Sequence, residues 1–367
     1  MKVLHVLRTG GMAYGVERTV LSMLPALLQR RVEVRVLVVV EAKVGRTPAA
    51  VPDILRQGGC EVDVVETGSR FPLAVARTLR RICDREKPDI LHTHGYKCDL
   101  ASLLSRSKAQ KVTTVHGWCS RSMRERFYEW VDVQCLKRMN RVIALCEDYR
   151  GRLLRRGVPD RLIRVAHVGV ELDMLPSSGH DYRSEWGVGP DDLLAAQIGR
   201  LSPEKNPALF VEVAGRLARR FPRMKFALVG DGQLADQLRR DAAQAGVPVT
   251  FAGYISDVGD VFRAADVVVN CSTTEGLPGA LLEAGVTGTP AVATAVGGAP
   301  EIIDDGVTGL LCPSGDAGAL AGALERLIKD AELRGNMAAA ARERIRTVFS
   351  TDVCARRIVE IYEELLA

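Results

Sequence analysis

The chain has 367 residues, 47% of them hydrophobic, and this length favours two folded domains over one. It has no apolar run of about 18 residues, which argues against a membrane-spanning helix, and MKVLHVLRTGG enters a strand-like run directly, so we expect no secretory signal. The nine cysteines show no C-x-x-C pair and no metal-ligand spacing, which favours reduced thiols in a cytoplasmic protein.

The net charge of +5 is unevenly distributed along the chain. Residues 1–170 contain 31 Lys and Arg against 17 Asp and Glu, whereas residues 171–367 contain 19 against 28. This asymmetry suggests that the first half meets something anionic, such as a membrane surface or a phosphate-bearing acceptor. A nucleic acid has no supporting motif or aromatic–basic interleaving, and solvated arginines are the alternative that needs no partner.

The first half alternates short apolar runs with amphipathic stretches. Strands are predicted at KVLHVL, EVRVLVVV, CEVDVVE, DILHTH, KVTTVH and RVIALC, with helical patterns at 16–30, 73–86 and 124–138. Near-continuous apolar strands separated by helices predict a parallel sheet that is covered on both faces. The polar stretch 173–190, DMLPSSGHDYRSEWGVGP, has two prolines and three glycines and is the predicted linker.

A second alternation of the same kind follows the linker. Its predicted strands are LLAAQIG, KFALVG, VTFAG, DVVVNC and PAVAT, and its helical runs lie at 207–220, 233–245 and 279–286, before a helical tail from Asp316. The chain therefore predicts two similar α/β domains. Ligands of open α/β sheets bind beyond the carboxyl ends of the strands, so we expect a cleft between the domains.

The loop after QIG in the second half carries two cations. GRLSPEKN places Arg200 and Lys205 five residues apart, just before a predicted helix start at Pro207. A planar guanidinium and a point-like ammonium together suit a diphosphate. The alternative for this loop alone is a capped helix start with surface charges.

Two further loops follow neighbouring predicted strands. GDG, residues 230–232, is a tight strand-to-helix turn where a backbone can approach a ligand closely. Tyr254 and Ile255 follow VTFAG, where a flat base could bind against the loop. Each of these is equally compatible with an ordinary loop.

The stretch EGLPGALLEAGVTGTPAVAT places two acids around a glycine turn at the start of a predicted helix. Glycines allow backbone N–H groups at a helix N-terminus to face an anion. Glu283 could accept both hydroxyls of a ribose, and Glu275 the hydroxyls of a second sugar. Stabilisation by the helix dipole would explain one glutamate but not both together with the preceding loops.

Strand ends in the first half carry glycines and histidines. Thr9-Gly10-Gly11, with Gly15 further on, does not meet the G-x-G-x-x-G dinucleotide fingerprint, although it still permits close approach to phosphates. His116 ends the strand KVTTVH, and His92 and His94 end the strand before it. This concentration of histidines at strand ends favours a place at the cleft over a purely structural role.

Taken in order, GRLSPEKN, GDG, FAGYISD, EGLPGALLEA and GTPAVAT-VGG-PEII resemble the retaining glycosyltransferases of family 4. TGGMAYGVERTVL, DILHTHGYK, TVHGW and RVIALCED extend the resemblance over nearly the whole chain. The implied fold is GT-B, with two Rossmann-like parallel-sheet domains facing a cleft. The implied segments are a first domain at 1–172, the linker at 173–190, a nucleotide-sugar domain at 191–348 and a helix at 349–367 that returns toward the first domain.

The resemblance also implies roles for individual residues. Arg200 and Lys205 match diphosphate-binding cations, Glu283 a ribose-binding acid and Glu275 the group that orients the donor sugar. His116 matches a histidine that faces the reacting sugar from the acceptor side. The remaining donor contacts fall on loop or backbone positions at Gly11, Gly199, Gly230, Tyr254, Ile255, Gly276, Gly279, Leu281 and Leu282.

One position departs from the family pattern. The usual Asn-Gly-(Ile/Val)-Asp step before the linker is replaced by Val168-Gly169-Val170-Glu171, after His167. The glycine is retained while the flanking polar residues differ, so the departure affects the hinge and leaves the donor-site positions unchanged.

The resemblance implies sugar transfer from a UDP-, GDP- or ADP-sugar with retention at the anomeric carbon. The chain contains no Asp-x-Asp, so we expect no metal and no cofactor, with cations and a helix N-terminus in place of a divalent ion. A sugar-nucleotide epimerase of the same fold and a non-catalytic nucleotide-sugar-binding protein are the alternatives.

The acceptor is expected to be a glycan or a lipid-linked glycan, as in bacterial exopolysaccharide assembly. Residues 102–156 contain 13 Lys and Arg against 5 Asp and Glu, which favours a cytoplasmic protein in peripheral contact with the inner membrane face. A small soluble acceptor is the alternative, and we expect no nucleic-acid partner.

Overall fold

The computed structural model describes residues 1–9, 16–41, 50–67, 71–116, 123–172, 175 and 177–367. The chain divides into two compact units. Unit 1 comprises Met1–Gly169 together with Thr351–Ala367, and unit 2 comprises Val170–Ser350.

Unit 1 is built on a seven-stranded parallel sheet with the order β3-β2-β1-β4-β5-β6-β7. Its strands are β1 (Lys2–Thr9), β2 (Glu33–Glu41), β3 (Glu61–Thr67), β4 (Ile90–His94), β5 (Gln110–Val115), β6 (Arg141–Ala144) and β7 (Ile163–Val165). Its helices before unit 2 are α1 (Val16–Gln29), α2 (Ala50–Gln57), α3 (Phe71–Glu86), α4 (Tyr96–Ser105), α5 (Met123–Leu136) and α6 (Glu147–Arg155), with a 3₁₀ turn at Asp160–Leu162.

Unit 2 contains a six-stranded sheet with the order β10-β9-β8-β11-β12-β13, and all its pairings are parallel. Its strands are β8 (Leu193–Ile198), β9 (Met224–Val229), β10 (Thr250–Gly253), β11 (Val267–Asn270), β12 (Ala291–Thr294) and β13 (Gly309–Cys312). Its helices are α7 (Tyr182–Glu185), α8 (Pro207–Ala218), α9 (Ala235–Gln244), α10 (Gly259–Ala264), α11 (Gly279–Thr287), α12 (Ala299–Ile302), α13 (Ala317–Lys329) and α14 (Ala331–Arg344).

A π-helical turn at Ile345–Phe349 ends unit 2, and the last helix, α15 (Thr351–Leu366), packs in unit 1. Helix α15 buries Ala355, Ile358, Ile361 and Tyr362 against the face of the unit 1 sheet that carries Val3 and Leu7. The opposite face of that sheet packs Leu4 and Val6 against other helices. Both faces are thus covered, as the continuous apolar strands predict.

Local sequence explains where the helices of unit 2 begin and end. Helix α8 opens with Pro207 at its first turn, where a missing N–H has no cost, after Asn206 in the left-handed region (φ 47°). Helix α11 ends at Gly288, whose φ of 72° supplies a left-handed cap. The loops after β8 and β11 precede these two helices and, because the strands are parallel, both lie at the carboxyl edge of the sheet.

The predicted α/β fold with two parallel sheets and a C-terminal helix is confirmed. Every strand predicted from an apolar run is present, whereas the short strands β7 and β13 and the helices α2, α4 and α6 were not predicted. The predicted linker region contains the short helix α7. In the described part of the chain, none of the helices combines the length and apolarity needed to cross a bilayer.

Candidate functional site

The loops that follow β8, β9, β10, β11 and β12 emerge at the carboxyl edge of the unit 2 sheet. Strand β8 is the first strand of this sheet along the chain, and it lies between β9 and β11. The strand order therefore reverses between β8 and β11, which is the topological switch point where open α/β sheets bind ligands. The predicted donor residues of unit 2 lie on or beside these loops.

The loop after β8 is held in place by its own backbone and by one buried amide. The side-chain amide of Gln197 donates to the carbonyl of Lys205 (2.9 Å), and the Lys205 N–H donates to the carbonyl of Ser202 (3.0 Å). Gln197 is buried at the end of β8. The backbone of Lys205 is therefore fixed directly at the strand end, immediately before α8.

An ion pair joins this loop to the loop after β11. Lys205 Nζ donates to Glu275 Oε1 at 2.5 Å, and the Ser272 hydroxyl donates to the same oxygen at 2.6 Å. The Lys205 side chain is 25% exposed and that of Glu275 only 9%. Because the pair spans the loops of β8 and β11, it lies at the switch point and can present a positive charge there.

Arg200 lies in the same loop as Lys205 but in a different environment. Its side chain is 70% exposed, and Nη2 lies 3.5 Å from Glu204 Oε1. Glu204 also accepts the Ser202 hydroxyl through Oε1, and its carbonyl accepts the Thr273 N–H at 2.9 Å. The guanidinium is thus accessible to an anionic ligand, while its loop is tied to the loop after β11.

The GDG turn after β9 is pressed against the loop after β8. A Cβ atom at Gly230 (φ 134°) would lie 2.0 Å from the Gly199 carbonyl oxygen, and one at Gly232 would lie 2.5 Å from the Leu201 carbonyl oxygen. The Leu201 N–H donates to the carbonyl of Asp231 at 3.0 Å. Contact between the two loops therefore already requires glycine at Gly230 and Gly232, independently of any ligand.

The loop after β10 continues this layer. Its Gly253 carbonyl accepts the Gly230 N–H at 2.7 Å, so the loops of β8, β9 and β10 are joined backbone to backbone. Tyr254 is 60% exposed at the surface, whereas Ile255 packs partly buried against Val229 and its neighbours. The exposed phenol ring is the group of this loop that a planar base could meet.

The glycine turn before α11 is supported by the loop after β12. The carbonyl of Gly276 accepts the Gly298 N–H at 2.7 Å, and a Cβ at Gly297 (φ 56°) would lie 2.3 Å from the Glu275 carbonyl oxygen. Gly279, the first residue of α11, is exposed. The backbone around Glu275 is therefore held on both sides.

Helix α11 carries the last predicted donor residues of unit 2. Leu281 and Leu282 have buried side chains in the core, and their N–H groups point back to the Pro278 carbonyl at 3.0 and 3.4 Å. Glu283 lies one turn into the helix and is half-buried. The structure thus brings Lys205 and Glu275 into contact and places Arg200 in the same loop, with Glu283 on the following helix.

The predicted residues of unit 1 are His116 and Gly11, and Gly11 lies outside the described residues. His116 follows β5, and its Nε2 lies 3.1 Å from Nδ1 of His94. His94 Nε2 lies 3.2 Å from Nδ1 of His5, whereas His92 Nδ1 meets the Tyr362 hydroxyl at 2.5 Å and His92 Nε2 meets the Thr114 hydroxyl at 2.8 Å. We call His5, His92, His94 and His116 the histidine cluster.

Burial determines the charge of the histidine cluster. It lowers the pKa of His5 to about 3 and that of His116 to about 4. Burial, assisted by the neighbouring imidazoles, also holds the pKa values of His92 and His94 well below the usual range. All four rings are therefore neutral at pH 7, and His92 and His94, which were expected at a cleft, are buried on one face of the unit 1 sheet.

Among the described residues, one group has the side chains to hold a metal. His5, His92 and His94 bring ring nitrogens within 4.8 Å of one another. Both nitrogens of His92 already meet hydroxyl groups, however, and no carboxylate belongs to the group. A divalent cation would have to break these hydrogen bonds and enter an apolar core without a balancing charge.

Several supporting residues were not identified from the sequence. Ser272 orients Glu275, Gln197 fixes the Lys205 backbone and Gly297 admits the loop of Glu275. A signal was present for Gly297, because it begins a glycine pair that lies just after the predicted strand PAVAT, separated from it by Ala295 and Val296. Ser272 and Gln197 carry no comparable signal, because their partners depend on strand order.

Two protein families match the chain. The family described as "Glycosyltransferase Family 4" matches residues 13–174, and the family described as "Glycosyl transferases group 1" matches residues 180–344. The two matches lie in the two halves that carry the two sheets.

Curated relatives and solved structures are similar to the chain. The Bacillus subtilis protein named putative glycosyltransferase EpsD is 30% identical over 71% of this chain and 73% of its own length. An Escherichia coli protein, named UDP-Gal:alpha-D-GlcNAc-diphosphoundecaprenol alpha-1,3-galactosyltransferase, is 27% identical over 69% of this chain and 70% of its own. The Anabaena protein HepE, solved in complex with UDP-glucose, has a TM-score of 0.83 at 23% identity and covers 99% of this chain with 100% of its own.

Proposed function

The chain belongs to the group 1 glycosyltransferases of family 4 and uses a nucleotide-sugar donor, and from this premise we propose that it transfers the sugar with retention at the anomeric carbon and without a metal ion. The observation that carries the proposal is the Lys205–Glu275 pair at the topological switch point of unit 2. An ammonium held there at a fixed place is suited to a leaving diphosphate.

The proposed chemistry places charge where cations are already fixed. As the bond between sugar and diphosphate breaks, negative charge grows on the phosphate oxygens. Lys205 and Arg200 stabilise that charge, Lys205 from a position set by Glu275 and Arg200 through its exposed guanidinium. The two cations take the part that a divalent ion plays in other glycosyltransferases, so transfer needs no metal.

The other parts of the donor bind at the same loops and at α11. Glu283, half-buried on α11, accepts the ribose hydroxyls, and Glu275 also accepts from the donor sugar through its second carboxylate oxygen. The base binds at Tyr254 and Ile255. An acceptor hydroxyl attacks on the face that the diphosphate leaves, and its proton passes to the departing phosphate.

The acceptor we propose is a lipid-linked or polymeric glycan at the inner face of a bacterial membrane. Support comes from the names of the relatives, one of which acts on a diphosphoundecaprenol-linked GlcNAc. The basic first half of the chain supports the same location, because anionic lipids attract clustered Lys and Arg.

Helix α5 offers a surface for peripheral membrane contact. Met123, Phe127 and Trp130 lie four and three residues apart, on one face of the helix, and are 80%, 58% and 59% exposed. Phe127 and Trp130 stack with ring centroids 6.1 Å apart, and Arg126 beside them is exposed. An exposed apolar stripe beside basic side chains is typical of helices that lie in a membrane interface.

The membrane contact is tested by sedimenting the protein with anionic and neutral vesicles. We expect binding to anionic vesicles at low salt, weaker binding at high salt, and loss of binding in Phe127→Ser/Trp130→Ser. Val307→Ser, at an exposed apolar residue of unit 2, is the matched control and should bind normally. No sedimentation with anionic vesicles at low salt would remove the membrane contact while leaving the transfer reaction intact.

The transfer reaction is tested in two steps. A thermal-shift screen of UDP-, GDP- and ADP-sugars identifies the donor, because a ligand stabilises the fold according to its affinity. Transfer is then followed by NMR of the product, and we expect the anomeric configuration of the donor to be kept and the rate to be unchanged in excess EDTA. An inverted product, or reversible inhibition by the chelator, would disprove the corresponding part of the proposal.

The same assay separates the alternatives. An epimer formed from the donor alone would identify a sugar-nucleotide epimerase. Nucleotide binding without product from any acceptor would identify a binding protein.

A further inference from the structure

The histidine cluster lies on one face of the unit 1 sheet because of strand alternation. Residues two apart share a face, so His92 and His94 of β4 project together, and β5 brings Thr114 and then His116 to the same side. His5 of β1 is paired in register with His92. This is the face covered by α15, whose Tyr362 reaches His92.

Three of these rings form a hydrogen-bonded chain. It runs from His5 Nδ1 to His94 Nε2 (3.2 Å) and from His94 Nδ1 to His116 Nε2 (3.1 Å). A neutral imidazole carries one proton, on one of its two nitrogens. The donors must therefore point the same way along the whole chain, and only two arrangements are possible.

The His5 end of this hydrogen-bonded series distinguishes the two arrangements. His5 is fully buried, and its Nε2 has no hydrogen-bond partner among the described residues. If His116 donated toward His5, a buried N–H group would be left unpaired at that atom. If His5 donates toward His116, only a lone pair is left unpaired. Orphaned buried N–H groups are the rarer of the two, and a buried donor without a partner is costly.

We propose that His94, backed by His5, is a positioning residue that fixes His116 as a neutral imidazole with its proton on Nδ1. His94 donates through Nδ1 to His116 Nε2, so the ring of His116 is oriented and its other nitrogen becomes a donor. In the described part of the chain, Nδ1 of His116 makes no hydrogen bond, so its proton is available to a ligand.

The arrangement determines what His116 can do in the reaction, and this consequence rests on the proposed transferase function. His116 donates a hydrogen bond from Nδ1 to a sugar hydroxyl and does not serve as the base for the acceptor. Protonating His116 at Nε2 would reverse the donor direction of both hydrogen bonds in the His5–His94–His116 series. It would also place an N–H group at Nε2 of His5, which has no partner among the described residues. The groups that face the three hydrogen-bonded histidines are His92 and the Tyr362 and Thr114 hydroxyls, none of which supplies a compensating negative charge.

The protonated nitrogen can be observed directly in the wild-type chain. Long-range ¹H–¹⁵N correlation spectra of protein labelled only at histidine distinguish protonated from unprotonated ring nitrogens, and His116→Gln assigns the signal of His116. We expect His116 protonated at Nδ1 and unprotonated at Nε2 between pH 5.5 and 8.5. Because histidine in water favours the proton on Nε2, this result would not arise by default.

Two outcomes would overturn the proposal: a proton on Nε2 of His116, or titration of His116 to the imidazolium within that pH range. Neither reading depends on the transfer assay. The spectra therefore test the proposal even if the proposed function fails.

Two variants of His94 test its effect on the reaction. His94→Asn keeps an N–H donor close to the position of Nδ1, whereas His94→Phe keeps a ring without a donor. We expect His94→Phe to lower kcat about 10- to 100-fold with little change in the donor KM, the usual scale for losing a partner that orients a functional group, and His94→Asn to recover most of it.

Thermal melts and circular dichroism confirm that each variant is folded before rates are compared. Equal losses of kcat in folded His94→Asn and His94→Phe would overturn the positioning role. Should His94→Phe fail to fold, the wild-type spectra and His94→Asn still decide the question.

Discussion

The two units place different electrostatics at the same edge of the same kind of sheet. At the carboxyl ends of β8 and β11, unit 2 holds a charged pair, Lys205 with Glu275. At the carboxyl ends of β4 and β5, unit 1 holds neutral histidines. A parallel sheet therefore fixes where functional groups emerge, while local burial decides whether they carry charge.

The functional groups at the two sheet edges differ in how deeply they are buried. In the Lys205–Glu275 pair the lysine side chain keeps 25% of its exposure, so its ammonium remains accessible to an anion. His5, His92 and His94 are buried on the sheet face that α15 covers, where a charged ring would be strongly disfavoured. Acid should therefore act first on unit 1, and loss of a cation should act first on catalysis in unit 2.

The largest expected effect is acid destabilisation of unit 1. The four clustered histidines have folded pKa values below the unfolded value of 6.5, so their contribution is present above pH 6.5 and is lost as the pH falls toward 4. At pH 5, His5 and His116 each cost about 2 kcal/mol. Asp99, whose pKa burial raises, changes in the opposite sense.

Hydrogen exchange of the intact chain measures this effect unit by unit. After correction for intrinsic rates, peptides from β1, β4 and β5 should lose protection between pH 7 and pH 5 before peptides from β8 and β11. His5→Leu should reduce the pH dependence in unit 1 by about one proton. Equal losses of protection in the two units would contradict the expected difference in their acid sensitivity.

A smaller effect is expected from Gly230→Ala in unit 2. Its Cβ would meet the Gly199 carbonyl oxygen at 2.0 Å, and its φ of 134° is unfavourable for alanine, so we expect a loss of about 3 kcal/mol or more. Urea denaturation measures the change. Gly246→Ala, at φ 61° with nothing within 4 Å, is the control and should cost about 1–2 kcal/mol. Equal costs would mean that the loop contact is unimportant.

Next in size is the loss of turnover in Lys205→Ala. Removing the ammonium takes away one partner of the leaving diphosphate, so we expect kcat to fall about 100-fold or more, which is about 3 kcal/mol. Arg200→Ala should show a loss of the same order. Lys225→Ala, which removes a half-exposed lysine of β9, is the control and should stay within about twofold.

Steady-state rates with the identified donor measure these variants. Near-normal transfer by purified Arg200→Ala would show that the phosphate assignment of that residue is wrong. A loss in Lys225→Ala equal to that in Lys205→Ala would indicate a general effect of lowering the charge of unit 2.

The smallest expected effect is stabilisation by Asp99→Asn. Burial and the nearby Asp132 raise the pKa of Asp99, so the unfolded chain ionises this group more readily and stability is lost as the pH rises above about 4. Asparagine does not ionise and can still accept from the Thr93 hydroxyl. We expect about 1–2 kcal/mol of stabilisation at pH 8 and little at pH 4.

Denaturation curves at the two pH values measure this difference. Asp84→Asn, at an exposed carboxylate of α3, is the control and should leave the pH dependence unchanged. If Asp99→Asn were less stable than the wild-type protein at pH 8, the raised pKa of Asp99 would be contradicted.

Much of the fold could be predicted because apolar runs and turn residues act locally. The strands EVRVLVVVE and MKFALV are recognisable from their apolar composition, whereas β7 has only three residues, IRV, and is too short to give such a pattern. Helix α4 was missed because a polar start, YKCDLAS, hides its buried face.

The site was predictable only as a set of loops. The sequence pattern pointed to Lys205 and Glu275 separately, but their contact depends on β8 lying beside β11, which no local pattern contains. The role of Gly230 against Gly199 has the same origin in strand order. His92 and His94 share a face by alternation, but their junction with His5 required β1 to pair with β4.

Helix α15 has a consequence for biosynthesis. Tyr362, which meets His92 in the middle of the unit 1 sheet, is translated only after all of unit 2. The ribosome thus completes all seven strands of unit 1 before α15 is available to cover its part of the face that carries Val3 and Leu7, so the packing of unit 1 finishes last although its strands are made first. Unit 2, whose residues are continuous in the chain, can mature without waiting.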